Sequence, residues 1–164
     1  MRLTVSALVA VLLYVLVGVS GQPQKPPTQW QLGVVKAGAQ DWEHDMLAKL
    51  NQARARAGKP DIQLDNRVSS MAQSHSDHMA STYMLTHADP KGSIDQRATA
   101  TGIKWVNVGE NIAYGYQTVD EAIAGWTSSP EHYANMVGDF NLVGFGKQDG
   151  KGMTFWTQNF IKSR

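Results

Sequence analysis

The chain has 164 residues, 42% of them hydrophobic and 18% charged, with no cysteine; this suits one domain held by its own core and excludes a disulfide-stapled scaffold. Without cysteine there is no thiol nucleophile, no cysteine-ligated iron–sulfur cluster and no thiolate zinc site, so any metal falls to His, Asp or Glu. A formal net charge of +1 offers no basic excess for nucleic acid.

Met1 and Arg2 lead into an apolar run from Leu3 to Val19, broken only by Thr4, Ser6 and Gly18, and Val19-Ser20-Gly21 then places small residues before Gln22. That order predicts a secretory signal peptide over residues 1–21. The competing reading is a retained signal anchor, because about 17 largely apolar residues reach the lower limit for spanning a bilayer. Cleavage would leave a secreted, extracellular protein with no stable membrane insertion. Gln22-Pro23-Gln24-Lys25-Pro26-Pro27 opens a Pro/Gln-rich tail and linker over residues 22–40, which favours an extended, solvated backbone. The folded domain is expected over residues 41–162.

Asp41 is placed to cap a helix carrying Trp42, Met46, Leu50, Ala53 and Ala57 on one stripe. Gly58 and Pro60 end it, and Arg54, Arg56 and Lys59 suit the negative end of its dipole. Asp65 caps a second helix in which Val68, Met71, Ala72, His75 and Met79 recur at three- and four-residue spacing until about Tyr83. The stripe assigns His75 to the core side as a hydrogen-bonded imidazole and leaves His78 solvated or half-buried; Met71, Met79 and Met84, mostly at helical spacing, read as core, the competing reading being the lining of an apolar groove. A metal shared by His75 and His78 is the minor reading of that pair.

A polar loop with His87, Asp89 and Pro90 precedes a short helical piece containing Ile94, Arg97 and Ala98, which Gly102 closes. Trp105, Val106 and Val108 predict a strand running into Gly109-Glu110-Asn111-Ile112-Ala113, where polar side chains interrupt the apolar alternation and can face a cavity. Thr118 and Glu121 form a capping box ahead of Val119, Ala122, Ile123 and Trp126. Ser129-Pro130 restarts a short helix through Glu131, His132, Tyr133 and Met136. Leu142–Lys147 and Met153–Phe160 read as an antiparallel hairpin. No two strands are separated by a regular βαβ spacing, so the fold class is α+β, an antiparallel sheet covered by helices.

The sequence holds no Gly-x-Ser-x-Gly, His-Glu-x-x-His, Walker loop or Gly-x-Gly-x-x-Gly after a strand. His87, Glu110 and His132 come from three segments, each beside a turn; their spacing does not fix whether they converge.

The ordered set Leu50-Asn51-Gln52-Ala53-Arg54, Met71-Ala72-Gln73-Ser74-His75, Thr86-His87-Ala88-Asp89-Pro90, Gly109-Glu110-Asn111-Ile112-Ala113, Ser129-Pro130-Glu131-His132 and Trp156-Thr157-Gln158-Asn159-Phe160 resembles the CAP superfamily. This group, also called SCP/TAPS, comprises cysteine-rich secretory, venom antigen and pathogenesis-related proteins; the chain is similar to its short cysteine-free form. The resemblance runs from about Trp42 to Phe160. It implies an α-β-α sandwich and a shallow cleft lined by two histidines and two acidic residues. His87, Glu110 and His132 match three of those cleft positions, and Ser129 stands where the second glutamate is usual. Its loss removes support for an imidazole ligand, which Glu131 is placed to replace.

By the same resemblance, His87 and His132 are the expected ligands of Zn2+ or another divalent cation, none being required for folding. Metal held this way needs neutral rings and weakens as pH drops. The implied function is a non-enzymatic binding module for a lipid, a sterol or a host or cell-wall protein partner, with a role in defence or virulence. The loop tied to sterol binding in yeast members falls in an insertion missing between Trp126 and His132. The competing function is a metal-assisted hydrolase or peptidase with Glu110 as its candidate catalytic group.

Overall fold

The computed structural model describes residues 41–164; the expected signal peptide, residues 1–21, and the tail, residues 22–40, lie outside the described residues. In chain order the elements are α1 (Asp41–Arg56), β1 (Gln63–Leu64), α2 (Asn66–Thr82), α3 (Ile94–Ala100), β2 (Trp105–Tyr114), α4 (Val119–Ser128), α5 (Pro130–Met136), β3 (Leu142–Gly150) and β4 (Met153–Ser163).

Local chemistry explains most of these boundaries. Asp65 takes an extended conformation and accepts the Arg67 N–H, starting α2, and Tyr83 ends it in the left-handed region at φ 61° with its N–H on Met79 O. Met84, expected in the core, lies beyond this helix end and is 60% exposed, whereas Met71 and Met79 are buried as expected. Thr118 Oγ1 accepts the Glu121 N–H and Glu121 Oε2 accepts the Thr118 N–H, each at 3.2 Å, so the expected capping box starts α4. Pro130 opens α5. Asp41 is the first residue of α1 rather than its cap.

The sheet runs in the order β1-β3-β4-β2. β4 pairs antiparallel with both β2 and β3, as expected, but β1 pairs parallel with β3 and makes the sheet mixed. Two residues suffice for that pairing, through Gln63 N–H to Asn141 O at 3.1 Å and Asp65 N–H to Val143 O at 2.9 Å, and two residues carry no hydrophobic period to read. The β3–β4 hairpin is longer than the sequence pattern suggests. Its strands continue to Gly150 and Met153, and Lys151 and Gly152, at φ 43° and 86°, form the two-residue turn that matches strand twist.

Strand residues alternate between the two faces and so separate two layers of helix. On one face Val108, Leu142 and Ile161 pack with Val68 and Met71 of α2 and Ala98 of α3, and Ile112 and Phe155 pack with Met79. On the other, Ala113, Val143, Phe145, Trp156 and Phe160 pack with Met46 and Leu50 of α1, Ala122 and Trp126 of α4 and Met136 of α5. The result is an α-β-α sandwich. At Gly144 and Gly146 the backbone of α2 lies directly on β3: a Cβ would overlap Val68 and Ser69 at the first, and Ala72 and Gln73 at the second.

Arg54 sits in the last turn of α1, as expected, and points inward. It is 1% exposed, and its guanidinium donates to Pro60 O at 2.9 Å, Met136 O at 2.8 Å, Gly138 O at 3.0 Å and Phe140 O at 3.2 Å. A rigid fork of donors thereby holds the turn between α5 and β3 against α1.

Candidate functional site

β2 is an edge of the sheet, and unpaired strand edges need cover. The Gly-Glu-Asn segment supplies it by sending successive side chains to opposite layers. Asn111, fully buried, donates from Nδ2 to His132 O at 3.0 Å and to Gln158 Oε1 at 3.1 Å. Asn135 of α5 answers from Nδ2 to Asn111 Oδ1 at 2.9 Å and to Glu110 O at 3.3 Å. These bonds tie α5, and with it His132, to the edge strand.

Glu110 points to the other layer and is 8% exposed. His87 Nδ1 donates to Oε1 at 2.9 Å, and Arg97 donates from Nη1 to Oε2 at 2.8 Å and from Nη2 to Oε1 at 3.2 Å. Asn159 Nδ2 adds a bond to Oε2 at 2.8 Å. Both carboxylate oxygens are thus doubly occupied. Burial alone would push this carboxyl up, but the Arg97 bonds, the His75 ring 3.6 Å away, His87 and Asn159 together hold it below the usual glutamate value.

His75 completes the buried network, on the core side as its stripe predicts. Its Nδ1 meets Asp89 Oδ2 at 2.7 Å and its Nε2 meets Thr86 O at 2.9 Å. Both ring nitrogens are thereby held by oxygen partners, which fixes the orientation of the imidazole. Asp89 is likewise held below its usual value: burial would raise it, and the Lys91 N–H and the His75 ring outweigh that. The Arg97 guanidinium and the His75 ring thus lie between two carboxylates, Glu110 and Asp89. His78 is half-buried beside His75, with ring centroids 6.4 Å apart.

The expected site residues fall into two pairs. His87 and Glu110 are in direct contact. His132 and Ser129 instead line a cavity of about 260 Å³ with Leu85, Ile112, Tyr114, Tyr116 and Trp126. Leu85, two residues before His87 on the same loop, joins the pairs. Glu131 is exposed and makes no hydrogen bond or ion pair among the described residues, so it does not take the place of the carboxylate that Ser129 lacks. Among the described residues no three His, Asp or Glu side chains group to hold a metal.

Sequence reasoning missed Arg97, Asp89 and Asn159 as parts of the site. The one local signal was at Arg97, which occupies an inward position of the Ile94, Arg97, Ala98 spacing where an apolar residue belongs. A charge on an apolar stripe calls for a buried partner.

An α-β-α sandwich of helices on both faces of a mixed four-stranded sheet is the fold of CAP domains. Residues 47–160 match the profile of the cysteine-rich secretory protein (CAP) family. The chain is 30% identical over 122 residues to YkwD of Bacillus subtilis (strain 168), covering 73% of this chain and 47% of that protein. It is 31% identical over 122 residues to YlbC of the same organism, which is called a membrane protein, covering 73% and 34%. Its structure resembles that of an extracellular SCP-domain protein from Bacillus anthracis, with a TM-score of 0.68 and 28% identity over 74% of this chain and 40% of that one. The chain therefore belongs to the CAP family, in a form with no cysteine. It spans about half, or less, of the length of these relatives. Among the described residues no helix is long and apolar enough to cross a membrane.

Proposed function

We propose that this protein is an exported, non-enzymatic binding module that takes an apolar group, such as an acyl chain end or a side chain of a protein partner, beside His132. One observation carries the reading: Met84, Leu85 and Tyr114 are large apolar side chains left 60%, 43% and 50% exposed, and two of them form the wall of the His132 cavity. Large exposed apolar side chains gathered at a concavity mark a binding surface. At about 260 Å³ the cavity lies below the range that encloses a drug-sized molecule, which favours one apolar end over a whole sterol.

The hydrolase reading has less support. A general base needs a free lone pair and a pKa near the working pH; Glu110 has neither, with four donors on its two oxygens and its carboxyl held low. Donation of His87 Nδ1 to Glu110 does orient the ring with Nε2 outward, as in a metal-binding imidazole. His87 and His132 alone fall short of the three protein ligands of a catalytic zinc centre, so Zn2+ or another divalent cation would be a weak, water-completed ligand here.

The test is a calorimetric titration of the 164-residue chain with decanol, a neutral apolar probe. Saturable binding lost in Leu85→Glu supports the reading; binding that survives Leu85→Glu, or no binding at all, overturns it.

A further inference from the structure

α2, the loop after it and α3 enclose a second cavity, of about 380 Å³, that the network above does not explain. Its wall includes Arg67, Ser70, Met71 and Ser74 of α2, Lys91 of the loop and Arg97 of α3; no acidic side chain lines it. Three cations from separate points of the chain repel one another unless anions offset them. Asp65 answers Arg67 through bonds to Nε and Nη2, and Glu110 answers Arg97. Lys91 donates only to Ser74 Oγ, at 2.6 Å, and meets no carboxylate among the described residues.

Arg97 adds the second observation. It is 5% exposed, and its buried Nε has no acceptor among the described residues. That nitrogen has almost no accessible surface, so an anion in the cavity meets Arg97 as a positive charge in the wall rather than as a hydrogen-bond donor. The cavity thus offers the Lys91 ammonium, the Arg67 guanidinium and the hydroxyls of Ser70 and Ser74 beside the apolar Met71 side chain.

We propose that this cavity binds a small organic oxyanion, a carboxylate or phosphate head on a short apolar body, with the head at Lys91 and Arg67 and the body against Met71. Such a head could belong to a free metabolite or to an anionic lipid. The site is separate from the His132 cavity and does not rest on the function proposed for it. Arg97 is shared between the cavity wall and Glu110, and Glu110 holds His87, so occupancy is felt at the His87 ring.

The test titrates phenyl phosphate into the full chain and into a Lys91→Gln, Arg67→Gln double variant, following heat and the His87 ring resonances. Both substituted side chains are exposed, and equal melting temperatures would confirm an intact fold. Saturable binding that moves the His87 resonances and weakens about tenfold in the double variant is expected. Vesicles of phosphatidylglycerol in phosphatidylcholine form the second arm: retention lost in the double variant assigns the head to a lipid, and soluble binding without retention assigns it to a free ester. No saturable binding in either arm, or equal binding by the double variant, overturns the proposal.

Discussion

Glu110 shows how one carboxylate can organise a site without reacting in it. Its four donors come from the loop after α2, from α3 and from β4, so its charge fixes three segments at once. Replacing it by glutamine leaves the Arg97 guanidinium buried beside a neutral amide, and stability near neutral pH should fall by about 3 kcal/mol in chemical unfolding. The pH dependence has a definite sign. Because folding lowers this carboxyl below its ordinary 4.5, its stabilisation is complete above that pH and drains away as pH falls through the folded value. Wild-type melting temperature should therefore drop below about pH 4.5 faster than that of Glu110→Gln, narrowing the gap between them. A gap that stays constant from pH 7 to pH 3 would count against the network. Asp89, lowered from 3.8, adds a loss of the same sign as pH falls.

The elements show which parts of the fold a sequence reader can reach. α2 and α4 were legible because their caps and their three- and four-residue apolar spacing are local signals, and the Gly-Glu-Asn break in β2 marked a polar site for the same reason. β1 was not, since two residues have no period, nor was the role of Arg54, whose carbonyl partners at Met136, Gly138 and Phe140 lie more than 80 positions away. His87 and Glu110 were nameable by resemblance, while their junction through Arg97 needed the folded chain. Arg54→Leu should cost about 3 kcal/mol because it strands buried carbonyls, and Arg54→Lys should recover only part, since one ammonium cannot reproduce the fork; urea midpoints of the two variants measure both. Full recovery by lysine would show that charge alone matters there. Gly146→Ala tests the α2–β3 contact. A methyl group driven into the Ala72 backbone should lower stability by about 3 kcal/mol, and an unchanged midpoint would mean that the two elements can part without loss.

For the whole molecule, the two helical layers divide the chemistry. The α2–α3 layer buries a hydrogen-bonded network of charged and polar groups around Glu110, and the α4–α5 layer frames an apolar hollow with His132 and Ser129 at its wall. The charged network holds the loop whose Leu85 and Met84 extend the apolar surface, so the framework and the proposed binding surface meet on one segment. If His87 and His132 do take a divalent cation, its affinity should fall as pH is lowered, because protons compete for the ring nitrogens. Zinc calorimetry at two pH values, with a His87→Ala, His132→Ala control, would show this; binding insensitive to pH would place the metal elsewhere.

The central claim is that the hollow beside His132 is where a ligand sits, and nuclear magnetic resonance reads it directly. The Trp126 indole N–H, which donates to Ile112 O at 3.2 Å, provides a single resolvable signal at the cavity wall. Titration with decanol should move that signal together with those of Leu85, Tyr114 and the His132 ring, saturably and in wild type but not in Leu85→Glu. If these resonances stay still while others shift, or if nothing shifts, the cavity is ordinary packing and the binding account is wrong.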